Sequence, residues 1–332
     1  MTTPPPAAEV PYAALSPDAV LDAVEAAGFV TDGRVLALGS YENRVYQVGL
    51  EDGAPLVAKF YRPGRWPTAA IEEEHAFALE LAGAEIPVVA PLVIGGQTLF
   101  QAGPYPVALY PRRGGRWPEL STAADRELMG RFLGRLHRLG SVRPFEHRPA
   151  LSVERLVVEP AQFIHGGDWL PSYVRDRYEA AVETIAEAAD NAFAAIAPRR
   201  VRLHGDCHRN NVLWTDSGPH FVDLDDCVSG PAVQDLWMLL AGSAAEMRAQ
   251  LVDYLTGYEQ FMPFDRAELG LIEPLRAMRM VHYTGWLARR WHDPAFPQAF
   301  PWFGTPVYFE SHVHDLERAI EAIEAAPFAA AD

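Results

Sequence analysis

The hydrophobic pattern of the chain changes near residue 110, and this change constrains the fold more than any other feature. Before it, short apolar runs separated by turn residues predict antiparallel strands joined by hairpins. After it, apolar residues recur at helical spacing over long stretches. The 332 residues therefore predict an α+β chain of two lobes, one built on a sheet and one mainly helical, with a cleft between them.

The first lobe is predicted to hold a five-stranded antiparallel sheet with one helix inserted after the third strand. An earlier helix is expected to begin after Ser16, a favoured N-cap residue, with Pro17 in its first turn and Gly28 as its stop. The strands are expected within residues 35–50 (a pair), 55–63, 91–95 and 105–111, and the inserted helix within residues 68–84.

The second lobe is predicted to be helical around a short β-rich island at residues 201–226. Its helices are expected over residues 121–139, 172–196, 231–261, 265–291 and 305–325. The Gly- and Pro-rich run YPRRGGRWP suits a hinge between the lobes. The predicted boundaries are a disordered lead-in over residues 1–15, an N-lobe over 16–108, the hinge over 109–118 and a C-lobe over 119–332.

The composition excludes several classes of protein. With 28 basic and 44 acidic residues the net charge is −16, whereas a protein that binds nucleic acid through its phosphates should be basic. No stretch approaches the roughly 20 apolar residues of a membrane span, and the N-terminus lacks the features of a secretory signal. Cys207 and Cys227 form no disulfide framework, so we expect a cytoplasmic protein that binds neither nucleic acid nor membrane.

A single lysine, Lys59, stands among 27 arginines. It lies in the apolar run LVAKFY, where a strand is expected. A compact ammonium is chemically distinct from a guanidinium fork, so this position indicates a requirement for lysine. The alternative, one lysine left by chance in a coding bias toward arginine, stays open.

The strongest group of candidate catalytic residues lies in the β-rich island. His204 and Asp206 are followed by Asn211, which gives the spacing H-x-D-x-x-x-x-N of a catalytic loop in which the Asp accepts a hydroxyl proton and the Asn holds a metal. Asp223 ends the next strand run, where a second metal-binding carboxylate is expected. Phosphoryl transfer needs this set because Mg²⁺ must bridge the phosphates while a carboxylate holds the incoming hydroxyl. Taken singly, each residue could be an ordinary turn or strand-end residue.

Lys59 then has a predicted role, contacting the α- and β-phosphates of ATP from the third strand. Its carboxylate partner is expected on the following helix, in the run Glu72, Glu73 and Glu74. We choose Glu74, with Glu73 next, because both can border the apolar side of that helix.

The loop between the first two strands, GSYENR, holds one glycine where an ordinary protein kinase has several. The hydroxyl of Ser40 and nearby backbone N–H groups could still bind phosphate oxygens. The base of ATP is expected against the hinge near Leu109, Tyr110 and Pro111.

Two further features of the second lobe have less specific interpretations. Cys207, between Asp206 and His208, is interpreted as a small buried residue in preference to a redox-sensitive thiol. Four arginines near one predicted helix are expected to pair with internal carboxylates; they are Arg276, Arg279, Arg289 and Arg290.

Eight segments match a known family. They are SYENRVYQV, VAKFYRPGRW, EEHAFAL, LHGDCHRNNVLW, FVDLDD, GPAVQDLWMLL, IEPLRAMRMVHYTGWLARRW and DPAFPQAFPWF. They resemble the bacterial stress response kinase A family, whose fold is similar to that of aminoglycoside phosphotransferases and choline kinases. The resemblance runs from about residue 15 to residue 310, and its last three segments are not generic kinase motifs.

The resemblance implies a two-lobed, protein kinase-like fold and an ATP- and Mg²⁺-dependent serine/threonine protein kinase. It further implies a cytoplasmic monomer that acts in the response to envelope and oxidative stress and in protection from cell death. It places the proton acceptor on Asp206, magnesium on Asn211 and Asp223, and ATP contacts on Ser40 and Lys59. Because Asp223 begins Asp-Leu-Asp and not Asp-Phe-Gly, control by an activation loop is not expected.

Two alternatives remain open at this point. The first keeps the chemistry but uses a small-molecule acceptor, such as an aminoglycoside, choline or a homoserine-like alcohol. The second is a weakly catalytic nucleotide-binding module that regulates partners. The intact set of Lys59, Asp206, Asn211 and Asp223 argues against the second alternative.

Overall fold

The computed structural model describes residues 11–216 and 218–328. Most of the predicted lead-in, residues 1–10, lies outside them, and its described end is a turn in which Tyr12 is buried and stacks on Tyr105. The chain divides into two compact units. The first consists of the chain up to Gly114 together with Trp291–Ala299, and the second of Gly115–Arg290 and the chain from Phe300 onward.

The first unit contains the predicted five-stranded antiparallel sheet, in the order β1-β2-β3-β5-β4. The sheet is preceded by helix α1, whose predicted N-cap is confirmed because the Ser16 hydroxyl accepts a hydrogen bond of 3.2 Å from the N–H of Ala19. Helix α2 follows the third strand, as predicted. The elements are α1 (Pro17–Ala26), β1 (Thr31–Leu38), β2 (Arg44–Leu50), β3 (Leu56–Phe60), α2 (Thr68–Gly83), β4 (Phe100–Ala102) and β5 (Tyr105–Pro111).

The predicted fourth strand was wrong in position. Residues 91–95 form no strand; the backbone N–H of Leu92 donates to the carbonyl of Leu109, and Ile94 forms an isolated bridge with Gln97. The fourth strand is Phe100–Ala102, which pairs with β5 across a tight turn at Gly103. Gly103 has a φ of +58°, a value that glycine tolerates best, and this local pairing fixes the strand.

Strand β3 has two different faces, which sets the direction of Lys59. Alternation along a strand places Leu56, Ala58 and Phe60 on one face, where they join a buried cluster with residues of α1. Lys59 therefore points to the opposite face. On this side of the sheet, Ala108 and Tyr61 form a second apolar cluster with Ile71 of α2.

The second unit is mainly helical, with two short antiparallel strand pairs, β6 with β9 and β7 with β8. No helix in residues 11–216 and 218–328 is both long and apolar enough to cross a membrane. The elements are α3 (Ala123–Gly140), α4 (Glu159–Gly166), α5 (Ser172–Ile196), β6 (Val201–Leu203), β7 (Val212–Thr215), β8 (Gly218–Phe221), β9 (Val228–Gly230), α6 (Val233–Trp237), α7 (Ala244–Tyr258), α8 (Ile272–Arg290), the short α9 (Ala295–Ala299) of the first unit, and α10 (Pro306–Ala325).

Two helix predictions in the second unit were incomplete. The helix expected over residues 231–261 is split into α6 and α7, because Ser243 begins a new helix with a reciprocal capping box to Glu246. A further helical stretch, which the hydrophobic pattern did not indicate, is formed by a π-helical turn, Glu154–Val158, and α4. Its Pro160 at the start of α4 is compatible with a first helical turn.

Helices α3 and α7 pack closely, and small residues allow it. A Cβ on Gly130 of α3 would lie 2.0 Å from the backbone carbonyl of Tyr254 on α7. Gly257 of α7 faces the backbone of Glu127 with similar closeness. The glycines therefore bring the two backbones into direct contact at this crossing.

Candidate active site

The predicted catalytic loop connects β6 to β7. The side-chain amide of Asn211 donates to the backbone carbonyl of Asp206 at 2.9 Å and approaches its carboxylate Oδ2 at 3.4 Å. A short 3₁₀ turn, Arg209–Asn211, places the asparagine at the end of the loop. The two residues that the motif spacing predicted as a pair are therefore joined by hydrogen bonds.

A buried carboxylate that the sequence analysis did not single out supports this loop. Asp235 of α6 is fully buried, and its two oxygens accept from the backbone N–H groups of His204 and Gly205, at 2.8 Å each. His137 lies 3.0 Å from the same carboxylate. Asp235 lies in the quoted segment GPAVQDLWMLL, but the contact spans about 30 residues and no local spacing indicates it.

Gly205 is required for close packing of the loop. Its φ is +85°, in the left-handed region, and a Cβ there would lie 2.2 Å from the carbonyl of Asp226. Any side chain would push the segment that follows Asp223 away from the loop. The glycine therefore keeps the proposed metal ligands on adjacent backbone segments.

The carboxylate of Asp206 lies between two basic side chains. Arg279 of α8 places Nη2 2.8 Å from Oδ1, and His208 places Nε2 3.3 Å from Oδ2. Burial by itself would raise the pKa of Asp206, but the hydrogen bond to His208 and the charge of Arg279 outweigh burial and hold this pKa well below its usual range. Asp206 is therefore an ionised carboxylate at neutral pH.

Arg279 is a residue of this site whose role the sequence analysis missed. The expectation that the arginines of this helix pair with internal carboxylates holds for two of them, since Arg279 pairs with Asp206 and Arg276 with Glu273, at 3.1 Å. In the sequence Arg279 lies in the segment IEPLRAMRMVHY, and no spacing relates this segment to Asp206.

Asp223 follows β8 in a backbone conformation that is rare for a residue with a side chain. Its φ and ψ are 59° and 66°, and a 3₁₀ turn, Leu224–Asp226, begins directly after it. Such conformations cost free energy and are typical of functional sites. The backbone conformation supports the prediction that the Asp223 carboxylate is functional.

Asn211 and Asp223 fit magnesium by their donor chemistry. The amide nitrogen of Asn211 is engaged by Asp206, which leaves the amide oxygen as the atom available for a cation. An amide oxygen and a carboxylate are hard ligands of the kind Mg²⁺ prefers. In residues 11–216 and 218–328 no group of three or more His, Cys, Asp or Glu side chains is arranged to hold a metal, so the remaining ligands would have to come from ATP and water.

The first unit contains the predicted nucleotide-binding residues. Lys59 Nζ lies 3.6 Å from Glu74 Oε1, and both side chains are buried. Of the three candidate glutamates, Glu74 is the buried one; Glu72 is exposed and Glu73 is half-buried. The ammonium also lies 4.8 Å from the centre of the Tyr61 ring, whose hydroxyl donates to Glu74.

The other residues predicted to contact ATP lie in two different elements of the first unit. Ser40 lies half-buried in the loop between β1 and β2. Leu109 and Tyr110 belong to β5, not to a linker: Leu109 is buried in the sheet cluster shared with α1, and the Tyr110 hydroxyl lies 3.0 Å from that of Tyr61. The strand predicted over residues 105–111 is confirmed by β5, so Leu109 and Tyr110, the first residues of the predicted hinge range, lie in this strand.

Cys207 is fully buried, and burial raises the pKa of its thiol well above the ordinary value. Both Cys207 and Cys227 are free thiols. The interpretation of Cys207 as a small buried residue fits these observations better than that of a redox-sensitive thiol.

The fold and the catalytic loop together define a class of protein. Residues 33–272 match the family model described as "Phosphotransferase enzyme family". Among solved structures, an amicoumacin kinase in complex with AMP-PNP, Ca²⁺ and Ami superposes with a TM-score of 0.70 at 19% identity, covering 93% of this chain and 94% of the other. A microcompartment-associated aminopropanol kinase gives a TM-score of 0.70 at 14% identity, covering 92% and 98%. These likenesses establish the fold.

Curated relatives narrow the class. The chain is 47% identical over 299 residues to the serine/threonine protein kinase RdoA of Salmonella typhimurium, covering 90% of each chain. It is 46% identical over 297 residues to stress response kinase A of Escherichia coli, covering 88% of each. The chain therefore belongs to the phosphotransferase enzyme family and, within it, to the stress response kinase A group.

Proposed function

We propose that the protein is an ATP- and Mg²⁺-dependent serine/threonine protein kinase that acts as a cytoplasmic monomer in a bacterial stress response. The observation that carries phosphoryl transfer is the catalytic loop, in which Asn211 is hydrogen-bonded to Asp206 and Asp235 holds the loop backbone. The names of the curated relatives support a protein acceptor.

In this proposal the side chains have separate roles. Lys59, oriented by Glu74, binds the phosphates of ATP, and Ser40 binds phosphate oxygens from the loop between β1 and β2. Leu109 and Tyr110 contribute to the nucleotide site from β5. Asn211 and Asp223 would hold Mg²⁺, which, when bound, supplies positive charge to the phosphates.

Asp206 acts on the acceptor. Its carboxylate accepts a hydrogen bond from the Ser or Thr hydroxyl and holds the oxygen in line with the γ-phosphorus. As the new O–P bond forms, the bond to the β–γ bridging oxygen breaks, ADP leaves with that electron pair, and the hydroxyl proton passes to Asp206. A carboxylate of low basicity suits this reaction, because the proton leaves late in a dissociative transfer.

A small-molecule acceptor is the second candidate, because the solved structures of this fold include an amicoumacin kinase and an aminopropanol kinase. The charges around Asp206 argue against an amine acceptor. Arg279, at 2.8 Å, brings positive charge to the carboxylate. Because Arg279 neutralises the Asp206 carboxylate, an ammonium group beside the reacting hydroxyl would gain little attraction from it.

The test is transfer of γ-labelled phosphate in the presence of Mg²⁺ with a panel of acceptors. The panel contains a generic Ser/Thr protein, aminoglycosides, choline and a neutral small alcohol. We expect label in the protein acceptor and none in the amines. Label confined to a small molecule would contradict the protein acceptor, and ATP binding without transfer to any acceptor would favour the regulatory module.

A further inference from the structure

A segment from the C-terminal half of the sequence is part of the first unit. Trp291–Ala299 is grouped with the sheet, although its flanking residues belong to the second unit. Asp293 in this segment is 1% exposed. Its carboxylate accepts from Arg44 Nη2 at 3.0 Å and from Arg62 Nη2 at 2.8 Å, so one buried carboxylate serves two arginines that are 231 and 249 residues away in sequence.

The two arginines hold the backbone of the loop between β1 and β2. Arg62 donates to the carbonyls of Tyr41 and Glu42, at 3.2 and 2.9 Å. Arg44 donates to the carbonyls of Tyr41 and Asn43, at 3.0 and 3.2 Å. Three successive carbonyls of the loop that contains Ser40 are therefore fixed by guanidinium groups that Asp293 holds in place.

Further contacts join the segment Trp291–Ala299 and Arg62 to the loop between β1 and β2. The backbone N–H of Arg62 donates to Asn43 Oδ1 at 3.1 Å, and Arg62 Nε lies 3.0 Å from Glu42 Oε1. Phe296, fully buried, lies under the Arg62 guanidinium at 5.8 Å and contacts the edge of the Tyr41 ring. The segment around Asp293 thus contacts the loop through both charge and apolar packing.

Fixed carbonyls also fix the direction of the amides that follow them. In a trans peptide the N–H of the next residue points opposite to the C=O. With the carbonyls of Tyr41 and Glu42 held by arginines, the N–H groups of Glu42 and Asn43 point away from those arginines. The loop has one glycine, Gly39. These contacts order its backbone before a ligand binds, whereas a glycine-rich loop becomes ordered when it binds its ligand.

We propose that Asp293 is a positioning residue for ATP binding: through Arg44 and Arg62 it pre-orders the loop of residues 39–43. The inference rests on the proposed function, since it takes this loop to meet the phosphates of ATP. Pre-ordering contributes to affinity because a loop fixed before binding loses less conformational entropy when the ligand binds.

The test uses Asp293→Asn. Asparagine has nearly the same shape but no charge. Its amide oxygen can replace Oδ2, which accepts from both arginines, but its NH₂ would replace Oδ1 and face two donors, Arg44 Nη2 and the N–H of Ala295, at 3.1 Å each. Asp253→Asn is the matched control, since Asp253 also accepts from an arginine, Arg126, at 2.8 Å, within the second unit. If Asp293→Asn fails to fold, Arg44→Gln is the second variant. It removes the ion pair between Arg44 and Asp293 and leaves the ion pair between Arg62 and Asp293.

Two readouts are measured on the full chain. The first, amide hydrogen exchange of residues 39–43 without nucleotide, is expected to become faster in Asp293→Asn and unchanged in Asp253→Asn. The second, the dissociation constant for Mg·ATP, is expected to rise about tenfold in Asp293→Asn, with the KM for the acceptor within about twofold of wild type.

Three outcomes would overturn the proposal. Unchanged loop exchange would show that Asp293 does not order the loop. Faster exchange with unchanged ATP affinity would show that the order does not serve ATP. Tighter ATP binding would mean that Asp293 withholds Arg44 and Arg62 from the phosphates. Failure of the proposed function is distinguishable, because it is measured on wild type alone: wild type would then bind no Mg·ATP, or would bind it without transferring label to the protein acceptor.

Discussion

Lys59 occupies a buried position beside a carboxylate and an aromatic ring. Its Nζ lies between Glu74 and the Tyr61 ring, on the face of β3 opposite the α1 cluster. The longer, planar arginine would have to displace one of these neighbours to keep the charge in place. The identity of the residue therefore matters beyond its charge.

Lys59→Arg and Glu74→Gln are both expected to raise the KM for ATP about tenfold, because each disturbs the ammonium group that we propose binds the phosphates. Glu73→Gln is the matched control, since Glu73 precedes Glu74 on α2 and is half-buried, and it should stay within about twofold of wild type. Steady-state kinetics with ATP as the varied substrate measure this. Equal effects of Glu73→Gln and Glu74→Gln would contradict the assignment of the partner.

Arg279→Ala is expected to lower kcat about tenfold and leave the KM for ATP unchanged, because Arg279 orients the Asp206 carboxylate. Arg276→Ala on the same helix is the control. Arg276 is exposed to a similar degree, 42% against 39%, but pairs with Glu273. The same loss of kcat in both variants would mean that the substitutions act by disturbing α8, and not through the contact of Arg279 with Asp206.

Helices α3 and α7 depend on small residues where their backbones meet. Gly130→Ala would place a methyl group 2.0 Å from the Tyr254 carbonyl, so the helices must separate, and we expect a loss of about 2 kcal/mol in unfolding free energy. Gly83→Ala at the end of α2 is the control, as nothing lies within 4 Å of its Cβ position. Urea unfolding of both variants measures the difference. An equal stability of the two variants would refute the close crossing.

Sequence reasoning succeeded where the information is local. The apolar run LVAKFY predicts the strand that carries Lys59, the spacing of Asp206 and Asn211 indicates one loop, and Ser16 marks the start of α1. The fold class and the membership of the family were confirmed. These features depend on neighbours within a few residues or on whole segments of resemblance.

Sequence reasoning failed at one local hairpin and at contacts between residues that are distant in sequence. Residues 91–95 are apolar enough for a strand, but the hairpin at Gly103 gives the edge of the sheet to Phe100–Ala102. Asp235 holds the catalytic loop from about 30 residues away, and Asp293 reaches Arg44 from 249 residues away. Single acidic residues carry no local pattern that distinguishes such contacts from surface charge.

At the scale of the whole molecule, buried histidines link stability to pH. Burial lowers the pKa of His75 and of His312 to about 4 each. The unfolded chain binds protons at these groups below about pH 6.5, whereas the folded chain does so only near pH 4. Stability from these groups is therefore complete above pH 6.5 and is lost as the pH falls toward 4.

His312→Gln tests this dependence in the second unit. The amide can keep a hydrogen bond to Thr284, which lies 3.1 Å from His312 Nε2, but it does not titrate. Between pH 7 and pH 5 wild type should lose about 2 kcal/mol more stability than the variant. Denaturant unfolding at pH 5, 7 and 8 measures this, and parallel losses in wild type and variant would contradict it.

The central claim is that Asp206 accepts the proton of the acceptor hydroxyl during phosphoryl transfer. Its most direct test compares wild type with Asp206→Asn, measuring Mg·ATP affinity and transfer of γ-labelled phosphate to a Ser/Thr protein acceptor on the same preparations. We predict that the affinity stays within about twofold while transfer falls at least about a hundredfold, because the amide cannot accept the hydroxyl proton. Transfer at the wild-type rate in Asp206→Asn would contradict the account.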